Sequence, residues 1–301
     1  MRISSGMIYE LGVSAIQNRM AELVKTQQQL AAGRRVLAPS DDPVASAQSL
    51  QLKQSLSVAQ QYQANITHAT NALNLEEKVL AQITRVIQDA KVTAVNAGNP
   101  TLSPDNLKAL ATELKGRYQE LLGLANTQDG QGQYLFAGYK SNVKPFTQSS
   151  GPGVYAGDTG VRSVQISASR RIAINDNGQE IFQPGVPGQD VFKTLDDFIN
   201  QLNSGSITPT QLSTALSGLD NALGNVLRVR AAVGARLREL DATDGTHADS
   251  ILHYQATISD LMDLDYTKAI TDLTRTQTSL EAAQKSFLAV SQLSLFNYLG
   301  G

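Results

Sequence analysis

The longest pattern in the chain is an apolar position that recurs every seven residues. It starts at Leu52 and comprises Leu52, Ala59, Ile66, Leu73, Leu80, Ile87 and Ala94. A second stripe, three residues later, runs from Ser55 to Ala97, and its polar members are Ser55 and Glu76. A spacing of 3.5 residues held over this length predicts a long helix that supercoils left-handedly with a partner helix.

The same alternation of three- and four-residue steps recurs at 107–124 and at 212–240. A shorter amphipathic stretch, 191–202, precedes a break at 203–205. Each of these segments is typical of a helix with one apolar face.

Both chain ends carry weaker stripes. The N-terminal stripe comprises Val13, Ile16, Met20, Leu23, Gln27 and Leu30, and the C-terminal stripe comprises Tyr266, Ile270, Leu273, Gln277, Leu280, Gln284, Phe287, Ser291, Ser294 and Tyr298. Because glutamine and serine dilute both stripes, neither gives an isolated helix much stability. We expect the two ends to be loose in the monomer and to become ordered between neighbouring subunits. The alternative is that they pair with each other as a solvated coiled coil.

Glycine and proline are unevenly distributed along the chain. Both are absent from 44–97 and from 246–299, whereas ten of the 23 glycines lie between Gly130 and Asp190. A helix of 54 residues is about 80 Å long, longer than the diameter of about 50 Å of a compact globule of this chain length. Either such helices break without glycine or proline, or the molecule is a rod, and the heptads favour the rod.

The centre of the chain changes to a period of two. Val164, Ile166 and Ala168 alternate with polar residues, and the alternation resumes at Ile172 and Ile174. The segment 175–178 predicts a turn, and 180–182 predicts a short third strand. The predicted fold is therefore mainly α, an elongated rod of long heptad-patterned helices from both chain ends, with a small antiparallel β insert in the middle.

Composition excludes several classes of protein. The chain has no cysteine, so it has no disulfide, thiolate metal site or cysteine nucleophile. Its net charge is −2, and without a basic run it has no electrostatic drive toward nucleic acid. No stretch approaches the ~18 consecutive apolar residues of a membrane-spanning helix. Residues 1–30 lack the pattern of a cleaved signal peptide, so we expect none.

The polar residues form no recognisable catalytic or metal-binding pattern. His247 and His253 are six positions apart, whereas a metal-binding pair on a helix needs a spacing of three or four. The motifs 40–43, 103–105 and 208–210 each join a serine or threonine to a proline, which is typical of helix starts. We therefore expect no catalytic residues, no metal, no cofactor and no enzymatic activity.

Two segments near the chain ends resemble the terminal signatures of the flagellin family. They are Leu30-Ala31-Ala32-Gly33-Arg34-Arg35-Val36, followed by Pro39-Ser40-Asp41-Asp42-Pro43-Val44-Ala45, and the run Asp265-Tyr266-Thr267-Lys268-Ala269-Ile270-Thr271-Asp272-Leu273-Thr274. Three features are more similar to the hook–filament junction members of that family. They are the 39–43 motif, Tyr134-Leu135-Phe136-Ala137-Gly138-Tyr139, and the closing Ser294-Leu295-Phe296-Asn297-Tyr298-Leu299.

The resemblance implies a structural component of the bacterial flagellum that forms the layer between hook and filament. It implies assembly with copies of itself in a ring, with hook-associated protein 1 on the hook side and with flagellin on the filament side. It also implies a cytoplasmic export chaperone and passage through the flagellar type III apparatus to the extracellular flagellum, without a cleaved signal peptide.

The resemblance also implies a division of the chain. The ends, 1–43 with 253–301, form a terminal coiled-coil domain; 44–139 with 189–252 form a helical rod; and 140–188 form a small β domain that projects outward. The candidate assembly contacts are the apolar members of the terminal stripes: Val13, Ile16, Met20, Leu23, Leu30, Tyr266, Ile270, Leu273, Leu280, Phe287 and Tyr298. The family-motif residues are Gly33, Arg34, Pro39, Ser40, Asp41, Asp42 and Pro43. Two alternatives remain open, a flagellin filament subunit and a secreted coiled-coil effector.

Overall fold

The computed structural model describes residues 5–148 and 151–299. Within these ranges the elements are, in chain order, α1 (Ser5–Ala32), α2 (Pro43–Ala97), α3 (Pro104–Ala125), β1 (Phe146–Thr147), β2 (Val154–Tyr155), β3 (Ser163–Gln165), β4 (Arg171–Ala173), α4 (Gly178–Phe182), α5 (Val191–Asn203), α6 (Pro209–Met262) and α7 (Tyr266–Leu299). The mainly helical fold with a small antiparallel β insert is confirmed.

The chain divides into two compact units. Unit 1 combines the two chain ends, up to Val58 and from Ser250 onward, and unit 2 comprises Ala59–Asp249. Both α2 and α6 contribute one end to each unit. The finer division into 1–43 with 253–301, 44–139 with 189–252, and an outward-projecting 140–188 stays a prediction.

The heptad stripe of α2 is the core-facing side of that helix in unit 2. Leu73, Leu80, Ile87 and Ala94 are fully buried. They belong to one hydrophobic core with fully buried residues of α3, such as Leu114, and of the other helices of the unit. Glu76, the polar interruption of the companion stripe, is buried as well, at 2% exposure.

The predicted helix starts are confirmed, and each has a specific hydrogen bond. The Oγ of Ser103 accepts the N–H of Asn106 at 3.2 Å, one turn into α3. At the start of α6, Thr208 Oγ1 accepts the N–H of Gln211 at 3.2 Å, while Gln211 Oε1 accepts the N–H of Thr208 at 2.8 Å. This reciprocal pair is a capping box, which satisfies two main-chain donors at once.

The second segment without glycine or proline, 246–299, is not one helix. It breaks after Met262 and resumes at Tyr266. Asp265 caps the new helix, because its Oδ1 accepts the N–H of Lys268 at 3.1 Å and its carbonyl accepts the N–H of Ala269 at 2.9 Å. Aspartate side chains compete with the helix for main-chain N–H groups, so a helix can stop here without a glycine.

The β insert consists of two separate two-stranded antiparallel sheets, β1–β2 and β3–β4. In the second, Val164 pairs with Ile172, and both residues belong to the alternating segment that predicts a small antiparallel sheet. The predicted third strand at 180–182 is wrong, because α4 occupies 178–182. The side chain of Asn177 accepts the N–H of Glu180 at 2.8 Å, and this cap favours a helical turn over an extended segment.

Aromatic side chains attach the insert to the helices of unit 2. The ring of Phe146 on β1 lies 5.0 Å from that of Phe192 on α5 and 5.2 Å from that of Phe182 on α4, centroid to centroid. All three side chains are fully buried. The insert therefore contributes directly to the core of unit 2.

Candidate assembly site

The two flagellin-like signatures, at opposite ends of the chain, meet in unit 1. The N–H of Leu264 donates to the carbonyl of Gly33 at 3.1 Å, and the N–H of Arg35 donates to the carbonyl of Met262 at 2.8 Å. These two main-chain bonds join the loop after α1 to the break between α6 and α7. The first signature is thus bonded to the residues that directly precede the second, which brings both signatures into one structural site.

Gly33 ends α1 in a conformation that other residues rarely adopt. Its φ is +66°, the left-handed region in which a glycine avoids the steric penalty of a Cβ. A Cβ at this position would lie 2.8 Å from the hydroxyl oxygen of Tyr266. The first residue of α7 therefore packs against the residue that ends α1.

Arg35 bridges three segments of the site. Its Nη1 donates to Asp42 Oδ2 at 3.1 Å, and its Nη2 donates to the carbonyl of Leu261 near the end of α6 at 2.7 Å. Its own carbonyl accepts a hydrogen bond from Gln29 Nε2 at 2.5 Å. The planar guanidinium with several fixed donors suits such a bridging role.

Asp41 organises the loop before α2. Its Oδ2 accepts the N–H groups of Leu37 and Ala38, both at 3.0 Å, and its Oδ1 pairs with Lys25 Nζ at 2.8 Å. The hydrogen bond from Lys25 and those from the main chain lower the pKa of Asp41. The lowered pKa favours the charged form of the Asp41 carboxylate, and it is this charged form that holds the loop in place.

Asp42 caps α2. Its Oδ1 accepts the N–H of Ala45 at 2.9 Å, and Pro43, the first helical residue, has no N–H that needs a partner. The hydrogen bond from Ala45, followed by that from Arg35, lowers the pKa of Asp42. The paired aspartates of the motif thus have separate tasks, one in the loop and one at the helix start.

The other motif residues lie on the surface of this loop. Arg34 forms an antiparallel main-chain bridge with Asp263, while its side chain is exposed. Pro39 and Ser40 are exposed in the turn that precedes α2.

The terminal stripes are divided between an interior and an exposed set. α1 and α7 pack against each other, and Val13, Ile16, Leu23, Leu30, Leu273, Leu280 and Phe287 are half-buried. By contrast, Met20 is 58% exposed, and Tyr266 and Ile270 are each 54% exposed. The side chain of Tyr298 lies outside the described residues. The pairing of α1 with α7 agrees with the alternative interpretation of the stripes, and looseness of the ends in the monomer stays a prediction.

Several residues of the site were not among the candidate site residues, although Arg35 and Ala269 lie within the two signature segments. The ring of Tyr9 lies 5.0 Å from that of Phe287, and Tyr9 could have been found because it stands four residues before Val13 on the same stripe. Ala269 is 5% exposed and contributes to the buried side of α7. Lys25 and Arg35 belong to no apolar stripe. Charged residues are common on helix and loop surfaces, so nothing in the sequence distinguishes these two.

An apolar groove lies beside the motif loop in unit 1. Its lining includes the exposed side chains of Met20, Val24 and Leu37, together with the charged Lys25 and Asp41. Apolar side chains grouped in one groove offer a partner more contiguous apolar surface than the same side chains scattered singly.

The described residues offer no arrangement for metal binding. Within 5–148 and 151–299, no three His, Cys, Asp or Glu side chains are placed to share a metal ion. His247 instead hydrogen-bonds through Nε2 to the carbonyl of Ile166 at 2.8 Å. No helix in these ranges combines the length and hydrophobicity needed to cross a lipid bilayer.

Comparison with known proteins agrees with the signatures. The bacterial flagellin N-terminal helical region matches residues 3–141. Flagellar hook-associated protein 3 of Salmonella typhimurium is 38% identical over 315 residues, which cover 98% of this chain and 99% of that protein. A flagellin of Bacillus subtilis is 20% identical over 303 residues, 97% of each chain.

A solved structure shares the fold. The structure of a flagellar hook-associated protein from Vibrio parahaemolyticus covers 74% of this chain and 100% of its own, at 27% identity and a TM-score of 0.69. With the Salmonella relative matched over nearly the whole of both sequences, the protein belongs to the flagellar hook-associated protein 3 family.

Proposed function

We propose that this chain is a structural subunit of the bacterial flagellum that forms the junction layer between hook and filament and assembles through its paired terminal helices. The observation that carries the proposal is the division of the terminal stripes. One set of side chains holds α1 against α7, while Met20, Tyr266 and Ile270 remain more than half exposed. Such side chains gain free energy when a neighbouring subunit covers them, about 1 kcal/mol each for half of a full burial.

We infer the remaining contacts of the subunit from what the family resemblance implies. Copies of the chain form a ring, with hook-associated protein 1 on the hook side and flagellin on the filament side. The inner layer is built from 1–43 with 253–301, the next from 44–139 with 189–252, and 140–188 projects outward. The apolar residues of the terminal stripes are the contacts between subunits.

Export through the flagellar type III apparatus to the extracellular flagellum, with the help of a cytoplasmic chaperone, suits the composition. The stripes diluted by glutamine and serine favour ends that become ordered on assembly, although ordering on binding lowers affinity. A chain without cysteine passes from a reducing to an oxidising compartment with no thiol to oxidise. The subunit has a structural role and no catalytic one.

Electron microscopy of cells that lack this protein tests the proposal. We expect hooks without filaments and flagellin released into the medium, and restoration by the full-length chain. A truncation of 290–301 is expected to leave unit 2 folded, as seen by circular dichroism, yet to fail to restore filaments. Normal motility of the deletion strain or of the truncation would contradict the proposal.

The second candidate is a filament subunit, favoured by the match to the Bacillus flagellin along nearly the whole chain. The purified protein distinguishes the two. A flagellin polymerises alone into long filaments, whereas a junction subunit adds only to hooks that already carry its neighbour. A secreted effector would be found free in the medium and absent from purified flagella.

A further inference from the structure

Glu76 is a carboxyl group buried in the core of unit 2. It is 2% exposed and lies on α2 between the fully buried Leu73 and Leu80. Its Oε1 accepts the main-chain N–H of Asp176 at 3.1 Å. Its Oε2 is buried without a hydrogen-bond partner among the described residues.

The charged groups around Glu76 come from three elements. Asp176 approaches from the segment after β4, and its carboxylate pairs with Arg236 of α6. Arg236 also donates from Nη1 to the carbonyl of Ala173 at 3.2 Å. On α2 itself, the neighbouring Glu77 pairs with Arg230 of α6 at 2.6 Å. Both arginines are therefore paired with other carboxylates, and the attraction of Arg236 for Glu76 offsets only part of the effects of burial and of Asp176 on its pKa.

This arrangement disfavours a charge on Glu76. An ionised carboxylate in the interior costs several kcal/mol unless a cation and hydrogen bonds compensate it, and two adjacent carboxylates do not both ionise easily. Burial, followed by the charge of Asp176, raises the pKa of Glu76 well above its ordinary value. At pH values between the ordinary pKa of glutamate and this raised pKa, Glu76 therefore keeps its proton in the folded state and loses it in the unfolded chain.

We propose that Glu76 is protonated in the folded protein at neutral pH and that its ionisation at alkaline pH releases residues 173–177 from α2 and α6. While Glu76 is neutral, Asp176 remains the charged partner of Arg236. Once Glu76 is charged, Arg236 faces two carboxylates, and the second one is shielded from water. The segment that joins β4 to α4 contributes only the half-buried Ile174 to the hydrophobic core, whereas α2 and α6 contribute many fully buried side chains, so this segment is the part of the cluster able to move away. The cluster acts as a proton-dependent latch on the insert.

The variant Glu76→Gln tests the latch, because its neutral amide keeps an acceptor for the N–H of Asp176. A group with a raised folded-state pKa stabilises the protein below its ordinary pKa, and this stability is lost as pH rises through the folded-state value, by up to tenfold in the folding constant per pH unit. Denaturant unfolding at pH 6 and pH 9 measures this. The ratio of the wild-type folding constant to that of Glu76→Gln is expected to fall at least tenfold between these pH values.

Glu77→Gln is the matched control, because it changes the adjacent carboxylate on the same helix. It removes the pair with Arg230, and its folding constant relative to wild type is expected to stay within about twofold between pH 6 and pH 9. If the folding constants of Glu76→Gln and Glu77→Gln, each taken relative to wild type, changed equally between pH 6 and pH 9, the proposal would be overturned.

Two measurements on the wild-type protein do not depend on the variants. Carbon-13 NMR of the Glu76 carboxyl is expected to show a titration midpoint above pH 7, and a midpoint below pH 7 overturns the proposal. Hydrogen exchange of peptides spanning 166–180, corrected for intrinsic rates, is expected to show lost protection at pH 9. Titration of Glu76 with unchanged protection would rule out the latch.

Discussion

Arg35 and Leu261 are 226 positions apart in the sequence, yet the guanidinium Nη2 of Arg35 donates to the main-chain carbonyl of Leu261 at 2.7 Å. The same guanidinium holds Asp42 at the start of α2. One side chain thus connects the end of α6 with the start of α2. The two ends of the chain are joined at a defined point as well as along the faces of α1 and α7.

Replacement of Arg35 by lysine tests this connection. An ammonium group cannot reproduce the two-armed geometry, so one of the two hydrogen bonds is lost. We expect Arg35→Lys to lower the free energy of unfolding by about 0.5–1 kcal/mol, a value reduced by the partial exposure of the site. Denaturant titration measures the loss. Arg19→Lys, at an exposed pair with Glu22 within α1, is the control, and an equal loss in both variants would contradict a special role for Arg35.

Gly33→Ala is expected to destabilise unit 1 by about 1–2 kcal/mol, because alanine is strained at a positive φ and its Cβ would approach the hydroxyl of Tyr266. When Tyr266 is replaced by phenylalanine, the hydroxyl that the new Cβ would approach is absent. The loss that then remains is the cost of placing alanine at a positive φ. Thermal unfolding of the single and double variants separates the two contributions.

The matched control is Gly116→Ala in α3. A Cβ at Gly116 meets no atom within 4 Å, and alanine is the better helix former by about 0.5–1 kcal/mol. We therefore expect this variant to be more stable than wild type. Similar destabilisation at both glycines would show that the conformation at Gly33 is not the cause.

Adjacent residues of α7 distinguish assembly from folding. Ile270 is 54% exposed and Ala269 is 5% exposed. Ile270→Asp is expected to lower the unfolding free energy of the monomer by no more than about 1 kcal/mol, because about half of the side chain is already exposed, and to abolish incorporation into flagella. Ala269→Asp places an unpaired charge at a buried position and is expected to destabilise the monomer itself. Immunodetection in purified flagella, with thermal unfolding of the monomers, provides both readouts. Normal incorporation of Ile270→Asp would contradict the proposed assembly surface.

Acid is expected to weaken the motif loop. The pKa values of Asp41 and Asp42 are both lowered from the ordinary value of 3.8. A lowered folded-state pKa gives stability that is present above 3.8 and is lost as pH falls through the folded-state value. The difference in melting temperature between wild type and Asp41→Asn should therefore be largest near pH 7 and vanish at strongly acidic pH. A difference that persists or grows in acid would mean that the charge of Asp41 does not hold the loop.

Repetition and local chemistry made much of the fold predictable. The heptads of α2 predicted its buried face, and the serine and threonine motifs predicted the starts of α3 and α6. The length of α6 was less evident, because it contains four glycines, Gly218, Gly224, Gly234 and Gly245. One of them is needed for packing: a Cβ at Gly218 would lie 2.7 Å from Thr194 on α5.

Two of the missed features depend on residues that are distant in sequence, and one on a cap three residues away. In the sequence, Glu76 is only a polar interruption of an apolar stripe. Its partner Asp176 comes 100 positions later, so the pattern around Glu76 does not reveal the contact. At 180–182, three residues were too few to distinguish a strand from a helical turn, and the cap at Asn177 decided it. Ile270 is exposed although its neighbour Ala269 is buried. Which of the two is covered depends on the side of α7 that faces α1, and the pattern within a single helix does not specify that side.

The hydrogen bond between Leu264 and Gly33 has a consequence for the order of folding. A ribosome makes the chain from its N-terminus, so the whole of Ala59–Asp249 exists before Leu264 does. Contacts so far apart in sequence carry a large loop-closure entropy and form late. Unit 2 can therefore fold while synthesis continues, whereas the first fifty residues can form unit 1 only after the last fifty have been made. A chain that ends before residue 260 lacks the residues that the N-terminal segment packs against.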